Sequence, residues 1–420
     1  MKTITKILLI AFLLRVAFFF VTWHPDLNNH VDWGIRFWEY GPEKFYKANV
    51  WSFTWPNQPP GTIYMFAGIR KLFEWVFSFF WFLNINIPVF PSNVMLFFEK
   101  NLYQALLKFP AILADLGIAY LIYKLLKSKK EKVAIAGALI FLANPVIWYN
   151  STIWGQTDSI INFFALLSVY LLLNKKLPLA LVALAVSLYI KVSLAILVPV
   201  ILVFALRQRH SLKSWILGVL AALSVFILPS LPFIVDKNPF VWIYEIYKDK
   251  VLTQQLHVIT ANAFNLWAAI AGIHERPDST LLGPLPYRTW GNILFGASFI
   301  PAIYLVFKKQ TLNTLVWACA LVSFSSFMLA TNMHERYIYP LFPYLTILLA
   351  MNAFLWPVYV TVSAISLLGM YNFWWYPRIE PVVQIMSAGN RLMPRILGLV
   401  NFLGFIAFYK YFLNSFSKKK

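Results

Sequence analysis

Long apolar runs recur along the whole chain, and they constrain its fold more than any other feature. Many approach about 18 residues, the length at which a helix begins to cross the hydrocarbon core of a bilayer. Inside a bilayer such a run satisfies its backbone hydrogen bonds as a helix. Only 12% of the residues are charged, against about 25% in an ordinary soluble domain. We therefore predict an all-α membrane protein with about twelve transmembrane helices, built as a single polytopic domain over residues 1–420.

The net charge of +20 suggests nucleic-acid binding, but the positions of the basic residues argue against it. They cluster in alternate connections between the apolar runs, as the positive-inside rule requires, and nearly all acidic residues fall in the other connections. We expect cytoplasmic termini and an active site on the outer face of the plasma (inner) membrane. The basic clusters are Lys2 and Lys6; Lys127, Lys129, Lys130 and Lys132; Lys175 and Lys176; Arg207, Arg209 and Lys213; Lys308 and Lys309; and Lys418 to Lys420.

Two long connections lie on the outer face in this topology, over residues 22–103 and 236–288. Within the first, the apolar segment Thr62 to Leu83 carries Arg70, Lys71 and Glu74 near its middle. Charges are costly at the bilayer centre, so we predict an amphipathic helix at the membrane interface. The predicted spans are 7–21, 104–125, 133–148, 160–173, 177–190, 192–205, 215–235, 290–307, 312–330, 338–356, 358–373 and 396–413.

The N-terminal run and the cysteine content give two further expectations. The run resembles a secretory signal, but no small-residue cleavage site follows it, so we interpret it as an uncleaved first helix. Cys319 is the single cysteine and lies within an apolar run, which argues against a disulfide framework and a cysteine-based metal site. We expect no metal and no other cofactor.

Polar side chains collect at the outer ends of the predicted spans. Such residues are costly at membrane depth and commonly mark function. Because several separate segments supply them at one level, we predict a cavity open to the outer face. A transporter or lipid flippase is the alternative class, but transporters place polar residues near the midplane, often with internal repeats. The residues concerned are His30, Asp32, Gln156, Asp158, Lys191, Glu245, Lys250, His334, Glu335 and Arg336.

Asp32 lies early in an aromatic connection, beside Trp33. Two interpretations stay open from the residues alone. Asp32 caps an amphipathic helix that follows the segment Asn29 to Asp32, or it is a general base that takes a proton from an attacking hydroxyl group.

Two motifs elsewhere carry polar groups next to apolar spans. The segment Trp154-Gly-Gln-Thr-Asp158 reads either as a turn with a helix cap at Asp158 or as a sugar-binding turn in which Gln156 contributes its amide. The segment Met333-His-Glu-Arg-Tyr337 reads either as a solvated patch or as a phosphate clamp, with Arg336 bidentate to the phosphate oxygens.

Two charged residues, Lys191 and Asp115, lie within apolar stretches of the sequence. Lys191 either extends to the membrane interface or faces the cavity and holds an anion. Asp115 lies near the middle of the second predicted span, where we expect a structural hydrogen bond to a neighbouring helix.

The ordered set of motifs resembles the GT-C superfamily of polytopic glycosyltransferases. It is most similar to bacterial and archaeal members related to the glucosyl- and mannosyltransferases of N-glycan assembly. The motifs follow the early Asp32 and are Trp55-Pro-Asn-Gln-Pro-Pro-Gly61, Leu113-Ala-Asp-Leu116, Asn144-Pro145, Trp154-Gly-Gln156 with Asp158, Tyr189-Ile-Lys-Val192 before Pro199, Asn262 to Trp267, and His334-Glu-Arg336.

The resemblance implies an inverting transfer of a hexose from a polyprenyl-phosphate donor to a glycan, lipid or protein acceptor on the non-cytoplasmic face. The implied partners are this lipid-linked sugar, the acceptor and the bilayer, without nucleic acid. An O-antigen ligase or polymerase is the second alternative. The expected site is Asp32 as general base; Arg336, His334 and Lys191 at the donor phosphate; and Gln156, Asp158, Trp154 and Glu335 at the sugar or acceptor.

Overall fold

The computed structural model describes residues 2–48, 51–235, 237–253 and 256–417. Over these residues the chain is helical apart from loops and one small hairpin, Leu281–Leu282 (β1) with Leu285–Pro286 (β2). The predicted all-α membrane fold is confirmed, whereas the single domain, the orientation of the termini and the compartment stay predictions. The cluster Lys418 to Lys420 and Asp236, the predicted start of the second long connection, lie outside the described residues.

The helices are joined by loops and by short 3-10 and π-helical turns. The π-helical turns span Tyr149–Trp154 and Ile246–Leu252, and the 3-10 turns span Val192–Leu197, Leu228–Phe233 and Ala353–Leu355. The α-helices are α1 (Thr3–Ala17), α2 (Pro25–Phe45), α3 (Pro60–Asn86), α4 (Asn93–Leu126), α5 (Glu131–Ala143), α6 (Pro145–Trp148), α7 (Asp158–Leu173), α8 (Leu177–Ile190), α9 (Val198–Arg207), α10 (Leu212–Ile227), α11 (Pro239–Glu245), α12 (Leu266–Ala271), α13 (Tyr287–Lys308), α14 (Leu312–Leu329), α15 (Leu341–Met351), α16 (Trp356–Tyr371) and α17 (Glu380–Ser417).

Six of the described helical units are long and apolar enough to cross a membrane: α4, α10 with the turn after it, α13, α14, α16 with the turn before it, and α17. A seventh unit is α5 together with α6 and the π-helical turn, bent by 49°. Four other predicted spans are shorter apolar helical units, namely α7, α8, Val192–Arg207 and α15. The predicted number of about twelve is reached only when these and the 15-residue α1 are included.

Proline explains the bend in the third predicted span. Pro145 has no N–H group to donate, and Asn144 before it adopts an extended conformation, as residues before proline prefer. The Asn144 side chain then accepts a hydrogen bond from the backbone of Val146 at 2.9 Å and caps the next helix. Residues 133–148, predicted as one span, therefore bend and lead into the π-helical turn Tyr149–Trp154.

The first long connection is mainly helical. His24 caps α2, since its Nδ1 accepts a hydrogen bond from the backbone N–H of Asp26 at 3.0 Å. The interpretation of Asp32 as a cap is wrong, because this residue lies about two turns inside α2. α3 does not pass as a spanning helix, and its location at the interface stays a prediction. α4 begins at Asn93, well before the predicted start of its span at residue 104.

A buried ion pair organises the interior of the bundle. Arg15 of α1 and Asp115 of α4 are both inaccessible to solvent, with Nε and Oδ2 3.3 Å apart. The hydroxyl groups of Ser151, Ser159 and Tyr339 also donate to Asp115, at 2.6, 2.6 and 3.0 Å. The predicted structural role of Asp115 is confirmed. The network joins α1, α4, the π-helical turn, α7 and the segment before α15, and so fixes the segments that carry the polar residues.

Candidate functional site

A polar cavity of about 400 Å³ lies where distant parts of the chain meet. They are the start of α2, the loop before α3, the turn before α7, the residue after α8 and the segment between α14 and α15. Polar groups among aromatic side chains are typical of ligand pockets. The residues that carry the argument below are Asp26, His30, Gln156, Lys191, His334 and Arg336.

Asp26 occupies the first turn of α2 and faces this cavity. Pro25 at the first helical position supplies the φ angle that a helix start requires. The Asp26 carboxylate accepts hydrogen bonds from Nε2 of Gln156 and from Nε1 of Trp154, the latter at 3.3 Å. Nη1 of Arg336 lies 4.0 Å from the same oxygen. Burial acts to raise the pKa of Asp26, but Arg336, the neighbouring histidines and Gln156 outweigh it, so the pKa is lowered and the group is ionised at neutral pH.

The turn that presents Gln156 requires glycine at position 155. Gly155 has a φ of 87°, and a Cβ atom there would lie 2.7 Å from Leu27 and 3.3 Å from Lys108. The backbone N–H groups of Gly155 and Gln156 both donate to the carbonyl of Asn150, at 3.1 and 3.0 Å. The turn is therefore fixed by its own backbone, and the amide of Gln156 is directed to Asp26.

Lys108 of α4 lies beneath this turn and is completely buried. Its ammonium group donates to the carbonyl of Val21, between α1 and α2, and to that of Thr152 in the π-helical turn, at 2.9 Å. A buried ammonium group is costly unless such acceptors surround it. Lys108 thereby joins the two segments that carry Asp26 and Gln156.

Lys191 faces the cavity instead of extending to the interface. It follows the end of α8 in an extended conformation, and its Nζ donates to Oδ1 of Asp158 at 2.9 Å. Both side chains are nearly buried. Asn150 donates to the other carboxylate oxygen at 3.1 Å. The interpretation of Asp158 as a helix cap is wrong, because Thr157 holds the N-cap position and Asp158 pairs with Lys191.

Arg336 lies near three carboxylates, but they do not occupy all of its hydrogen-bond donors. Its closest atoms lie 3.3 Å from Glu335, 3.8 Å from Asp158 and 4.0 Å from Asp26. Within the described residues only the contact with Glu335 is a hydrogen bond, and Nε has no hydrogen-bond partner. The guanidinium group therefore retains donors for an anion in the cavity.

Three buried histidines lie at the site: His30 and His334 contribute to the cavity wall, and His24 caps the helix that carries Asp26. Burial lowers the pKa of His24 and of His334 to about 3 and that of His30 to about 4. They are neutral at physiological pH, so each ring offers one donor and one acceptor. His30 stacks on Phe66, and its Nδ1 is buried without a partner among the described residues. A ligand can supply that partner.

An apolar chamber of about 280 Å³ adjoins the polar cavity. The two share Asn57, Gln58, Lys191 and Tyr337 in their walls. The rest of the chamber wall combines aliphatic residues, among them Ile161, Val192 and Ile196, with polar ones, among them Asp158 and Thr331. Lys191 thus lies at the boundary between the polar cavity and a chamber whose wall has an aliphatic part.

A side chamber, also about 280 Å³, adjoins the polar cavity at Asp26 and Arg336. Glu335 and Trp374 contribute to its wall. Burial raises the pKa of Glu335 to about 7, although Arg336 opposes the shift. Glu335 is therefore the carboxyl group at this site that titrates near neutral pH.

Asp32 lies on the same helix as Asp26 but outside the cavity wall. Its carboxylate accepts hydrogen bonds from Nε of Arg36 at 3.2 Å and from the backbone and hydroxyl of Ser52 at 3.1 and 3.0 Å. It holds the loop after α2 against the helix. The structure therefore places Asp26, not Asp32, beside the other polar groups.

The remaining predicted site residues come together around the cavity. Gln156, Lys191, His334 and Arg336 contribute to its wall, Asp158 to the apolar chamber and Glu335 to the side chamber, while Trp154 packs behind Asp26 and donates to it. Their roles stay predictions. The site residues predicted from the sequence include Asp32 but not Asp26, Asn57 or Gln58, which contribute to the wall. The signal for Asp26 was Pro25, which marks the true start of α2.

No group of three His, Cys, Asp or Glu side chains within the described ranges is arranged to hold a metal ion. The expectation of a metal-free, cofactor-free site stays a prediction.

Comparison with known proteins corrects the predicted activity. A search of curated proteins found no match. A family model described as PIG-U, GPI transamidase subunit PIG-U, matches residues 76–273, less than half of the chain. On this comparison the predicted hexose transfer from a polyprenyl-phosphate donor, with Asp32 as base, is wrong, because the matching family is named for a transamidase subunit and not for a glycosyltransferase. Nor does the match support a transporter or an O-antigen ligase. The chain is a multi-pass membrane protein with partial similarity to a subunit of a membrane enzyme complex, and its closer relation to glucosyl- and mannosyltransferases is unconfirmed.

Proposed function

We propose that this protein binds the headgroup of a phosphate-bearing glycolipid, as a membrane-embedded substrate-binding subunit of a transferase complex. The observation that most directly supports the proposal is Arg336 at the wall of the polar cavity, whose Nε has no hydrogen-bond partner among the residues that the structure describes. The partial match to a GPI transamidase subunit supports the same ligand class, since GPI denotes a glycosylphosphatidylinositol.

The charges of the cavity fit a phosphate group. Arg336 offers a planar fork that matches two phosphate oxygens, and Lys191 adds a compact cation. The nearby carboxylates already have donors: Asp158 accepts from Lys191, and Asp26 accepts from Gln156. A phosphate that contacts both cations therefore displaces few existing hydrogen bonds.

The remaining wall fits a sugar. Asn29, Asn57 and Gln58 supply amide groups that can both donate to and accept from hydroxyl groups. Trp33 and Trp55 supply flat apolar surfaces beside them. This combination of aromatic faces with a few polar groups is typical of pockets that orient a ligand.

The apolar chamber favours a lipid over a soluble sugar phosphate. It adjoins the polar cavity at Lys191, where the phosphate of the ligand is expected, and the aliphatic part of its wall can contact an acyl chain. A soluble ligand would leave this wall without an apolar contact, and burial of apolar area is the main favourable term in such binding.

Equilibrium binding to the purified full-length chain tests the proposal. The ligands are phosphatidylinositol mannoside, monoglucosyl diacylglycerol (no phosphate), phosphatidylglycerol (no sugar) and glycerophosphoinositol mannoside (no acyl chains). We expect the tightest binding for phosphatidylinositol mannoside and weaker binding for each ligand that lacks one part. Equal affinity for the phosphate-free and the phosphate-bearing glycolipid would refute a phosphate site.

Binding of phosphatidylinositol mannoside is expected to strengthen as pH falls from 8 to 6. Above pH 7 the ionised Glu335 competes with the lipid phosphate for Arg336, and below it the protonated carboxyl group does not. A shift of about one pKa unit in Glu335 on binding corresponds to a change of up to about tenfold in affinity. The phosphodiester keeps its charge over this range, and the histidine pKa values of about 3 to 4 lie below it.

The matched control is Glu335→Gln, which is expected to bind with the same affinity at pH 6 and pH 8. If this variant retains the pH dependence of the parent, another group is responsible and the assignment to Glu335 fails.

A further inference from the structure

Lys191 follows directly after α8, and two different parts of the chain hold it there. At the tip of its side chain, the ammonium group donates to Asp158 at 2.9 Å. At its base, the backbone leaves the helix in an extended conformation, with a φ of −155° and a ψ of 126°. The contacts that fix this base come from the start of α3, which carries none of the cations proposed to bind the phosphate.

The last carbonyl groups of α8 receive hydrogen bonds from other segments. A helix leaves its final four carbonyls without intrahelical donors, and a buried carbonyl without a donor is costly. The hydroxyl group of Tyr247, in the π-helical turn after α11, donates to the carbonyl of Leu188 at 3.2 Å. The hydroxyl group of Thr62 donates to the carbonyl of Ile190, and Thr62 is almost completely buried. Two other segments therefore complete the end of α8.

The hydrogen bond from Thr62 acts on Lys191 through a single peptide group. The carbonyl of Ile190 and the N–H group of Lys191 belong to the same planar unit, so they turn together. This N–H group donates to the carbonyl of Ser187 at 3.0 Å. Because both sides of the peptide plane are held, the direction in which the Lys191 side chain leaves the backbone is fixed.

Glycine at position 61 allows α3 to approach α8 closely enough for this contact. A Cβ atom at Gly61 would lie 2.6 Å from the carbonyl oxygen of Tyr189 and 2.9 Å from its carbonyl carbon. These are backbone atoms, so a larger residue would push the two helices apart. Pro60 at the first helical position defines the start of α3 and brings Thr62 into the first turn. The segment Pro60-Gly61-Thr62 therefore places a hydroxyl group on the carbonyl of Ile190.

We propose that Thr62 is a positioning residue of the phosphate site: its hydroxyl group holds the peptide of Ile190 and thereby directs Lys191 into the polar cavity. This inference rests on the proposed function. Thr62 and Lys191 both contribute to the cavity wall, as do Asn57 and Gln58 from the loop before α3. The start of α3 therefore links the amide groups proposed for the sugar to a cation proposed for the phosphate.

A lysine that is already held in place favours binding. A long side chain loses rotamer freedom when a ligand immobilises it, and a side chain that is ordered beforehand avoids part of this loss. Without the hydroxyl group of Thr62, the carbonyl of Ile190 loses its buried donor. We expect the peptide to turn toward donors in the cavity, and the direction of the Lys191 side chain to change with it.

Binding of phosphatidylinositol mannoside to Thr62→Val, in the purified full-length chain, tests the proposal. Valine keeps the shape of threonine but has no hydroxyl group, and we expect roughly 2- to 12-fold weaker binding. Thr62→Ser keeps the hydroxyl group and is expected to recover most of the affinity. If Thr62→Val does not fold, Thr62→Ala carries the same expectation, because the space that it opens admits a water molecule at the carbonyl of Ile190.

The Lys191→Met background separates positioning from direct contact with the ligand. In this background Thr62→Val should cause no further loss of affinity, because the hydroxyl group acts through the ammonium group. Losses that add up in the double variant would make Thr62 an independent contributor and overturn the proposal. Monoglucosyl diacylglycerol has no phosphate and should bind the parent chain and Thr62→Val equally. An equal loss for both lipids would also contradict a role through Lys191.

Thr253→Val is the matched control. The hydroxyl group of Thr253 also donates to a backbone carbonyl, that of Lys248 at 2.6 Å, but at an exposed position. This variant should bind with parental affinity. Parental affinity of Thr62→Val for phosphatidylinositol mannoside overturns the positioning role alone. Equal affinity of the parent chain for the phosphate-bearing and the phosphate-free glycolipid overturns the phosphate site and the positioning role together.

Discussion

Replacing Arg336 with glutamine is expected to weaken the binding of phosphatidylinositol mannoside roughly 10- to 150-fold. Glutamine keeps a polar side chain but lacks the charge and the fork of donors, and a hydrogen bond to a charged group contributes about 1.5–3 kcal/mol. The carboxylates of Asp26, Asp158 and Glu335 also lose their shared cation. Their repulsion of an anionic headgroup adds to the loss. Titration of the purified variant with the lipid measures the change.

Arg378→Gln provides a control with the same chemical change. Arg378 is 62% exposed and pairs with Glu380 at the surface, so its variant should bind with parental affinity. The phosphate-free monoglucosyl diacylglycerol supplies a second control, because its affinity should change little in Arg336→Gln. Parental affinity of Arg336→Gln for the phosphate-bearing lipid would remove Arg336 from the site.

Arg15→Met is expected to lower the free energy of unfolding by about 3–5 kcal/mol, because it leaves the buried Asp115 without its cation. Arg15 also donates to the backbone carbonyls of Ala11 and Leu142, both at 3.3 Å. Methionine matches the length of the arginine stem but supplies none of these donors. Equilibrium unfolding in detergent measures the change.

A second substitution separates charge from packing. Adding Asp115→Asn to Arg15→Met removes the unpaired charge, while the amide oxygen still accepts from Ser151 and Ser159, so part of the lost stability should return. Lys237→Met is the control, because Lys237 and Glu245 form an exposed pair whose loss costs about 1 kcal/mol or less. If the losses of unfolding free energy caused by Arg15→Met and by Asp115→Asn alone simply add up in the double variant, Arg15 and Asp115 are not energetically coupled.

The positions and lengths of the apolar runs alone predict much of the helical framework. α8 spans residues 177–190 as predicted, and α14 begins at Leu312 as predicted. The bend between α5 and α6 was harder to predict. Its cause is the backbone N–H group that Pro145 lacks, and the summed hydropathy of a segment carries no information about hydrogen-bond donors. The short helices α7, α8 and α15 also show that an apolar run need not be long enough to cross the bilayer by itself.

The sequence predicted which residues belong to the candidate site better than it predicted how these residues are arranged in space. Asp26 and Asp32 are six residues apart, which on a helix places them about 120° apart around the axis. Only one of them can face the cavity, and the choice depends on where α2 meets the turn at Gln156. Asp26 also lies close to Arg336, 310 residues later in the chain. Neither relation is visible in local sequence, because both depend on how α4 and α7 pack.

The carbonyl partners of Lys108 restrict how a ligand can enter. Moving the Val21 segment away from the π-helical turn Tyr149–Trp154 would leave the buried ammonium group of Lys108 without hydrogen-bond acceptors. The free-energy cost of such a movement is high. Lys108 therefore holds the segments that carry Asp26 and Gln156 together, and access by spreading these two segments is disfavoured. A ligand is expected to enter without parting these two segments.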